Sequence, residues 1–168
     1  MSCNILTGIP KGCDNNLGGI QKFYITDFDG VVATCVDGEA TAITANNAYV
    51  EYVFNKNSSS YTEEAAISLE NGSTYYTVVT NLIIPRREVS KRNSLQLIAA
   101  GQQNLSIIIL DGNGLYWLQG LNEGSNLTAQ GEGSGVVKAD GSKYSLTFTS
   151  EDSEQMCEIP QSVIDTLL

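Results

Sequence analysis

Asp27 and Asp29 stand two positions apart after a strand-like run, in Asp27-Phe28-Asp29-Gly30-Val31-Val32. With this spacing, one carboxylate can attack phosphorus while the next serves as general acid and base.

Haloacid-dehalogenase-type phosphatases, whose first motif this stretch resembles, carry such chemistry on alternating strands and helices with a downstream lysine and a later acidic pair. This chain is strand-rich with one clear helical pattern, and it contains no Asp-Asp pair. The stretch therefore reads as a turn between two strands.

Asp111-Gly112-Asn113-Gly114 resembles a fragment of a calcium loop. A helix-loop-helix calcium site begun at Asp111 would place Asn122 where a bidentate Glu is needed, and strand-like arms replace the helices. Asp, Asn and Gly tolerate positive φ, so the tetrapeptide reads as a hairpin turn. Glycines alternate through Gly131–Gly135, without the spacing or strand-helix setting of a dinucleotide fingerprint. The chain has no histidine, which removes the usual general base and nucleophilic triads. Acidic pairs suited to glycoside hydrolysis are plentiful, and none is singled out. Trp117 and Tyr116 could stack on a sugar, but Leu115 and Leu118 beside them favour a core role. The four cysteines, Cys3, Cys13, Cys35 and Cys157, include no C-x2-C pair, which argues against zinc. With no secretion signal evident at the N-terminus, reduced thiols are expected over two disulfides. The Asn-x-Ser/Thr sites at Asn57, Asn71, Asn104 and Asn126 then carry no meaning. No enzyme activity, cofactor or metal is expected.

Charge is the other chemical signal. The net charge is -10, which disfavours nonspecific nucleic-acid binding over the whole surface. Arg86, Arg87, Lys91 and Arg92 nevertheless fall within seven positions. They are either a solvated helix face or a patch that meets an acidic partner, such as another copy of the chain.

The elements that must position these groups are mostly strands. Residues 1–19 read as an irregular arm, and 20–168 as a single domain. Strand patterns cover 21–26, 31–36 and 49–55, with Phe23 and Ile25 opposite Tyr24. The runs 61–70 and 74–84 pair across Asn71-Gly72. Arg86–Ala100 is the one convincing helix: Pro85 opens it, Val89, Leu95, Ile98 and Ala99 form its apolar stripe, and Gly101 caps it. Its four cations oppose the helix dipole. Leu105–Leu118 is a hairpin that is apolar on both faces, one to be covered by the helix and the other by the core. Residues 120–135 are a bulged strand or a long loop. A third hairpin joins 136–139 to 144–149 across Asp140-Gly141.

Several of these stretches resemble structural proteins of tailed bacteriophages, especially virion proteins of phages that infect Bacteroidota. The matching stretches are Lys91-Arg92-Asn93 with Leu95–Gly101, Asp111–Gly120, Tyr144–Thr149, and the opening Cys3–Asp14, together about a quarter of the chain. The order of hairpins, one helix, then more hairpins is also similar to tail-tube proteins. That resemblance implies an antiparallel β-sandwich or barrel with one flanking helix, whose copies assemble into rings of six. The rings stack into a tube that carries DNA through its lumen without sequence-specific binding. It further implies other virion tail proteins as partners, no membrane contact, assembly in the host bacterial cytoplasm and residence in the virion tail. A head–tail connector ring shares the fold, and a carbohydrate-binding β-module is the alternative from a different class. The resemblance places the N-terminal arm and the 55–60 loop at ring-to-ring contacts, with Arg86, Arg87, Lys91 and Arg92 at an assembly interface.

Overall fold

The computed structural model describes residue 8 and residues 15–168. The described residues form eleven strands and two α-helices. In chain order the strands are β1 (Ile20–Asp27), β2 (Val32–Val36), β3 (Glu39–Thr44), β4 (Val50–Glu51), β5 (Ser60–Ser68), β6 (Ser73–Pro85), β7 (Leu105–Asp111), β8 (Tyr116–Gln119), β9 (Ser125–Gly133), β10 (Lys143–Asp152) and β11 (Cys157–Ile159). The helices are α1 (Val89–Gly101) and α2 (Gln161–Leu167).

The strands form two layers of a β-sandwich that is not a closed barrel. One layer runs β4-β1-β7-β8-β11 and the other β9-β10-β6-β5, joined at a corner where Leu105 of β7 pairs with Ser125 of β9. Between them lie Phe23, Ile25, Ile107 and Ile109 from the first layer, packed with Val78, Leu82, Leu146 and Phe148 from the second. The Phe23 and Phe148 rings sit 5.4 Å apart at a tilted angle, the contact a sandwich core of this thickness needs.

The Leu105–Leu118 hairpin forms as its turn residues require. Every residue of β7 is buried, so both of its faces are covered. The cover differs from expectation. Leu95 of α1 packs in the same core as Ile107 and Ile109, so the helix and the opposing sheet share one face. The other face, with Tyr24, Ile108 and Leu118, is covered by Ala40 and Ile43 of β3, by Tyr49, and by Ile164 of α2. The small, polar 40–48 stretch and the C-terminal tail, neither of which shows a strong pattern, therefore supply the second cover. The Tyr49 hydroxyl and Ser106 Oγ are 2.9 Å apart within it, pairing two polar groups that burial would otherwise leave costly.

Other elements shift in ways the hydrogen bonds explain. Pro85 ends β6 opposite Lys143 instead of opening the helix. Arg86 N–H donates to the Ser142 carbonyl (2.7 Å) and Arg87 N–H to Ser142 Oγ (3.2 Å), which ties the connection after β6 to the loop before β10 and delays the helix. Arg86 is left-handed (φ 61°), and α1 begins only at Val89. Its apolar stripe shrinks to Leu95 and Ile98, since Val89 is exposed, and Gln102 rather than Gly101 takes the left-handed cap. The 120–135 stretch is strand β9, with its register shifted between Thr147 and Phe148 on β10. Residues 136–139 are not a strand: β10 pairs with β9, and the loop between them carries a 3-10 turn at Lys138–Asp140. The strand pattern over 49–55 reduces to the two residues of β4.

Cys35 and Cys157 form a disulfide across 122 positions of sequence, which corrects the expectation of reduced thiols at these two. Cys3 and Cys13 lie outside the described residues. The bond ties the β2–β3 hairpin to β11, which β3 meets in the parallel Glu39–Glu158 pair.

Burial pushes the phenols of Tyr49, Tyr52 and Tyr61 above the ordinary tyrosine range; at Tyr61 the carboxylates of Asp111 and Glu63 add to the effect. A raised folded-state pKa means that the neutral phenol is favoured by folding. This stability is complete below pH ~10 and is lost as pH rises through the folded values. In an ultraviolet titration of the eight tyrosines, a fraction is expected to ionise late and together with alkaline unfolding. A single ordinary transition near pH ~10 in the folded protein would contradict this burial.

Candidate assembly surfaces

The basic segment 86–92 is split by the structure. Arg86 and Arg87 lie in the connection between β6 and α1, while Lys91 and Arg92 lie in the first turn of the helix. The chain supplies its own anions here. Arg86 Nε is 3.0 Å and Lys91 Nζ 3.6 Å from the Glu88 carboxylate, and Arg87 pairs with Glu132 of β9. Lys91 also donates to the carbonyls of Pro85 (2.8 Å) and Arg86 (3.3 Å). Arg92 donates to its neighbour Asn93 Oδ1 (3.3 Å). Glu88, immediately ahead of α1, offsets the unfavourable placement of cations at that end of the helix. The side chain of Arg86 is still 81% exposed, so its pairing with Glu88 is a weak surface contact that leaves it available to a partner.

The loop from 134 to 142 lies against this segment, as the bonds to Ser142 show. It is internally braced. The Asp140 carboxylate accepts the N–H groups of Val136 (2.8 Å) and Val137 (3.0 Å), and these two donors hold it below the usual carboxylate range. Gly135 (φ 71°) passes so close to Asp140 that an added Cβ would lie 2.2 Å from the Asp140 Cβ. The brace presents Val136, 97% exposed, and Val137 to solvent.

Two further surfaces are sheet edges. The strand path ends on β2 and on β5. β2, Val-Ala-Thr-Cys-Val, has no charge or proline, and its outward residues Val32, Thr34 and Val36 are exposed. An edge of this kind is a template for another strand. β5 is longer and carries Glu63 and Glu64; Glu63 accepts the N–H of Met156 at 2.7 Å.

The remaining candidates resolve as local structure. Asp27–Gly30 is the turn after β1, and Asn47 Nδ2 donates to Asp27 Oδ2 at 3.4 Å. Asp27, Asp29, Asn46, Asn47, Gln103 and Asn104 line an open polar cleft of about 750 Å³. Asp111 is buried at the head of its turn, where Oδ1 accepts Asn113 N–H (2.8 Å) and Leu115 N–H (3.0 Å) and Oδ2 accepts Trp117 Nε1–H (3.1 Å). Trp117 and Tyr116 are half-buried against the two cores. Among the described residues, no three His, Cys, Asp or Glu side chains gather as a metal site, and no helix is long and apolar enough to cross a membrane. The arm's described end docks on the Asp111 turn: Leu17 N–H donates to Asn113 Oδ1 (2.7 Å) and Gly112 N–H to the Gly19 carbonyl (2.9 Å).

Neither the 134–142 loop nor the β2 edge carries a sequence signal that marks it as a surface. The loop was masked by a turn signal at Asp140-Gly141 that suggested a shorter hairpin. The edge was masked because an apolar run does not say which strand ends a sheet. Comparison of the chain with models of known protein families, with curated proteins and with solved structures finds no match.

Proposed function

We propose that this chain is a structural subunit of a bacteriophage tail, the tube protein, which joins copies of itself into rings of six that stack into a conduit for DNA. The observation that supports this most directly is the open sheet with unlike ends. β2 is uncharged, whereas β5 brings Glu63 and Glu64. Pairing β5 with β5 sets carboxylates against carboxylates, which is unfavourable. Pairing β2 of one copy with β5 of the next has no such conflict. It is a head-to-tail contact, the type that closes into a ring when the rotation fits. A net charge of -10 suits a lumen that DNA passes through without binding. Virion surfaces are also a setting in which a bond such as Cys35–Cys157 persists.

Negative-stain microscopy of the purified full chain tests the reading. Stacked rings or tubes are the expected result. Rings that never stack under any salt condition would reassign the chain to a connector. A persistent monomer would remove the assembly reading and favour a binding module, for which the polar cleft beside Phe28 would then be the place to look.

A further inference from the structure

Charge is distributed unevenly along the β9-β10-β6-β5 layer. At one end Pro85 meets Lys143 and Lys143 meets Gly133; at the other Asp152 meets Tyr76, Ser150 meets Ser125 and Ser68 meets Ser73. Ten-residue β10 spans this distance, roughly 30 Å at the usual rise of a strand. Of the nine lysines and arginines in the chain, six belong to the first end: Arg86, Arg87, Lys91, Arg92, Lys138 and Lys143. Their nearby carboxylates are Glu51, Glu88, Glu132 and Asp140, so this end is positive by two (six minus four). The far end exposes Glu70, Glu123, Glu151 and Glu154, and its segments 66–75, 120–126 and 150–156 hold no lysine or arginine. Each end also presents apolar side chains to water. Val136 and Val137 stand on the braced loop at the basic end, while Ile67 (66% exposed) and Leu69 (94%) stand at the acidic end.

We propose that copies of this chain dock end to end, the basic end with Val136 and Val137 of one against the acidic end with Leu69 of the next. The partner is a second copy because the two complementary surfaces lie on the same chain at opposite ends of one layer. Neither end pairs favourably with itself, since like charges would then meet, so the contact runs head to tail and repeats along an axis. The apolar residues supply area that needs desolvation, and the charges supply direction and register. The contact is therefore salt-sensitive, because the Debye length falls from about 10 Å at 0.1 M salt to about 3 Å at 1 M. Within the tube reading, which this inference extends, it is the joint between successive rings.

The test uses two charge-reversed chains, Arg86→Glu/Arg87→Glu/Lys138→Glu/Lys143→Glu and Glu70→Lys/Glu123→Lys/Glu151→Lys/Glu154→Lys. Light scattering and negative-stain microscopy follow axial stacking in low and high salt, and circular dichroism confirms folding. The first chain has two acidic ends and the second two basic ends. Each alone is expected to lose stacking at least tenfold, and an equimolar mixture should recover it by alternating. Val136→Glu, a change at a 97%-exposed side chain, provides a variant that does not disturb the Arg87–Glu132 pair and is also expected to reduce stacking. Stacking unchanged in the reversed chains, or a mixture no better than its components, overturns the proposal. Wild-type rings that never stack overturn it and leave the ring reading standing. Linear stacks without rings sustain it and overturn the ring. A wild-type chain that stays monomeric in low salt overturns both.

Discussion

Removing the Cys35–Cys157 bond is expected to cost about 4 kcal/mol of folding stability, which for a chain of this length lowers the melting temperature by roughly 10 °C. The physical basis is the size of the closed loop. The two cysteines are 122 positions apart, so the cross-link takes a great deal of freedom from the unfolded chain. Locally the bond also matters, because little else ties the β2–β3 hairpin to the first layer. There β3 meets β11 at Glu39–Glu158, Glu158 N–H donates to the Gly38 carbonyl (2.9 Å), and Ala40 and Ile43 pack beneath. Thermal unfolding with and without reductant measures the effect. Cys35→Ser/Cys157→Ser should match the reduced wild type and should not respond to reductant. A Cys3→Ser/Cys13→Ser control should still respond. If reduction of Cys35 and Cys157, verified by thiol counting, leaves the melting temperature unchanged, the bond has no structural role. In the proposed ring the β2 edge meets a neighbouring copy, so under that proposal the loosened hairpin should also weaken ring formation.

Asp111→Ala is expected to destabilise the fold by about 3 kcal/mol, because it deletes three hydrogen bonds to a buried carboxylate at once and leaves their donors unpaired. Asn113 N–H, Leu115 N–H and Trp117 Nε1–H all converge on this side chain. The turn it organises also receives the described end of the arm, through Asn113 Oδ1 and Gly112 N–H. One carboxylate thus sets the β7–β8 register, the orientation of the indole and the docking site for residues 17–19. Asp111→Asn keeps the shape and part of the hydrogen bonding and should cost about half as much. Trp117 is the only tryptophan, so its fluorescence reports the site directly. The alanine variant should shift that emission and lower the denaturant midpoint, with the slope unchanged. A loss below about 1 kcal/mol would mean that the glycines and the flanking ladder hold the turn without the carboxylate.

Much of the fold was legible because it is encoded locally. Asp111-Gly112-Asn113-Gly114 between apolar arms can only turn tightly, and β7 and β8 follow. The Asn71-Gly72 signal likewise joins β5 to β6, although the strands close at Ser68–Ser73 around a longer loop than a two-residue turn. The errors arise where a local signal competes with a distant partner. Pro85 is acceptable in a helix's first turn and at a strand's last residue. Ser142, 57 positions away, decides for the strand by taking the next two N–H groups. Asp140-Gly141 looks like a two-residue hairpin turn, yet the Asp140 carboxylate bonds backward to Val136 and Val137 and folds a wider loop. Helix α2 is short. Its signal, Pro160 followed by Val163, Ile164 and Leu167 at helical spacing, gains weight only because Ile164 has a core to enter.

The candidate surfaces divide in the same way. Sequence alone determined that the protein is a mostly β sandwich-forming chain with a helix near its middle, strongly acidic, with a cationic run at 86–92, because strand alternation, turn chemistry and charge are properties of neighbouring residues. Only the tertiary structure decided what those cations touch, that Lys138 and Lys143 stand beside them, that Glu70, Glu123, Glu151 and Glu154 gather at the opposite end, and that Cys35 meets Cys157. Each of these juxtapositions joins segments dozens of positions apart, and they are settled by the hydrogen-bond register between strands and by burial of the two cores. No local pattern carries that information.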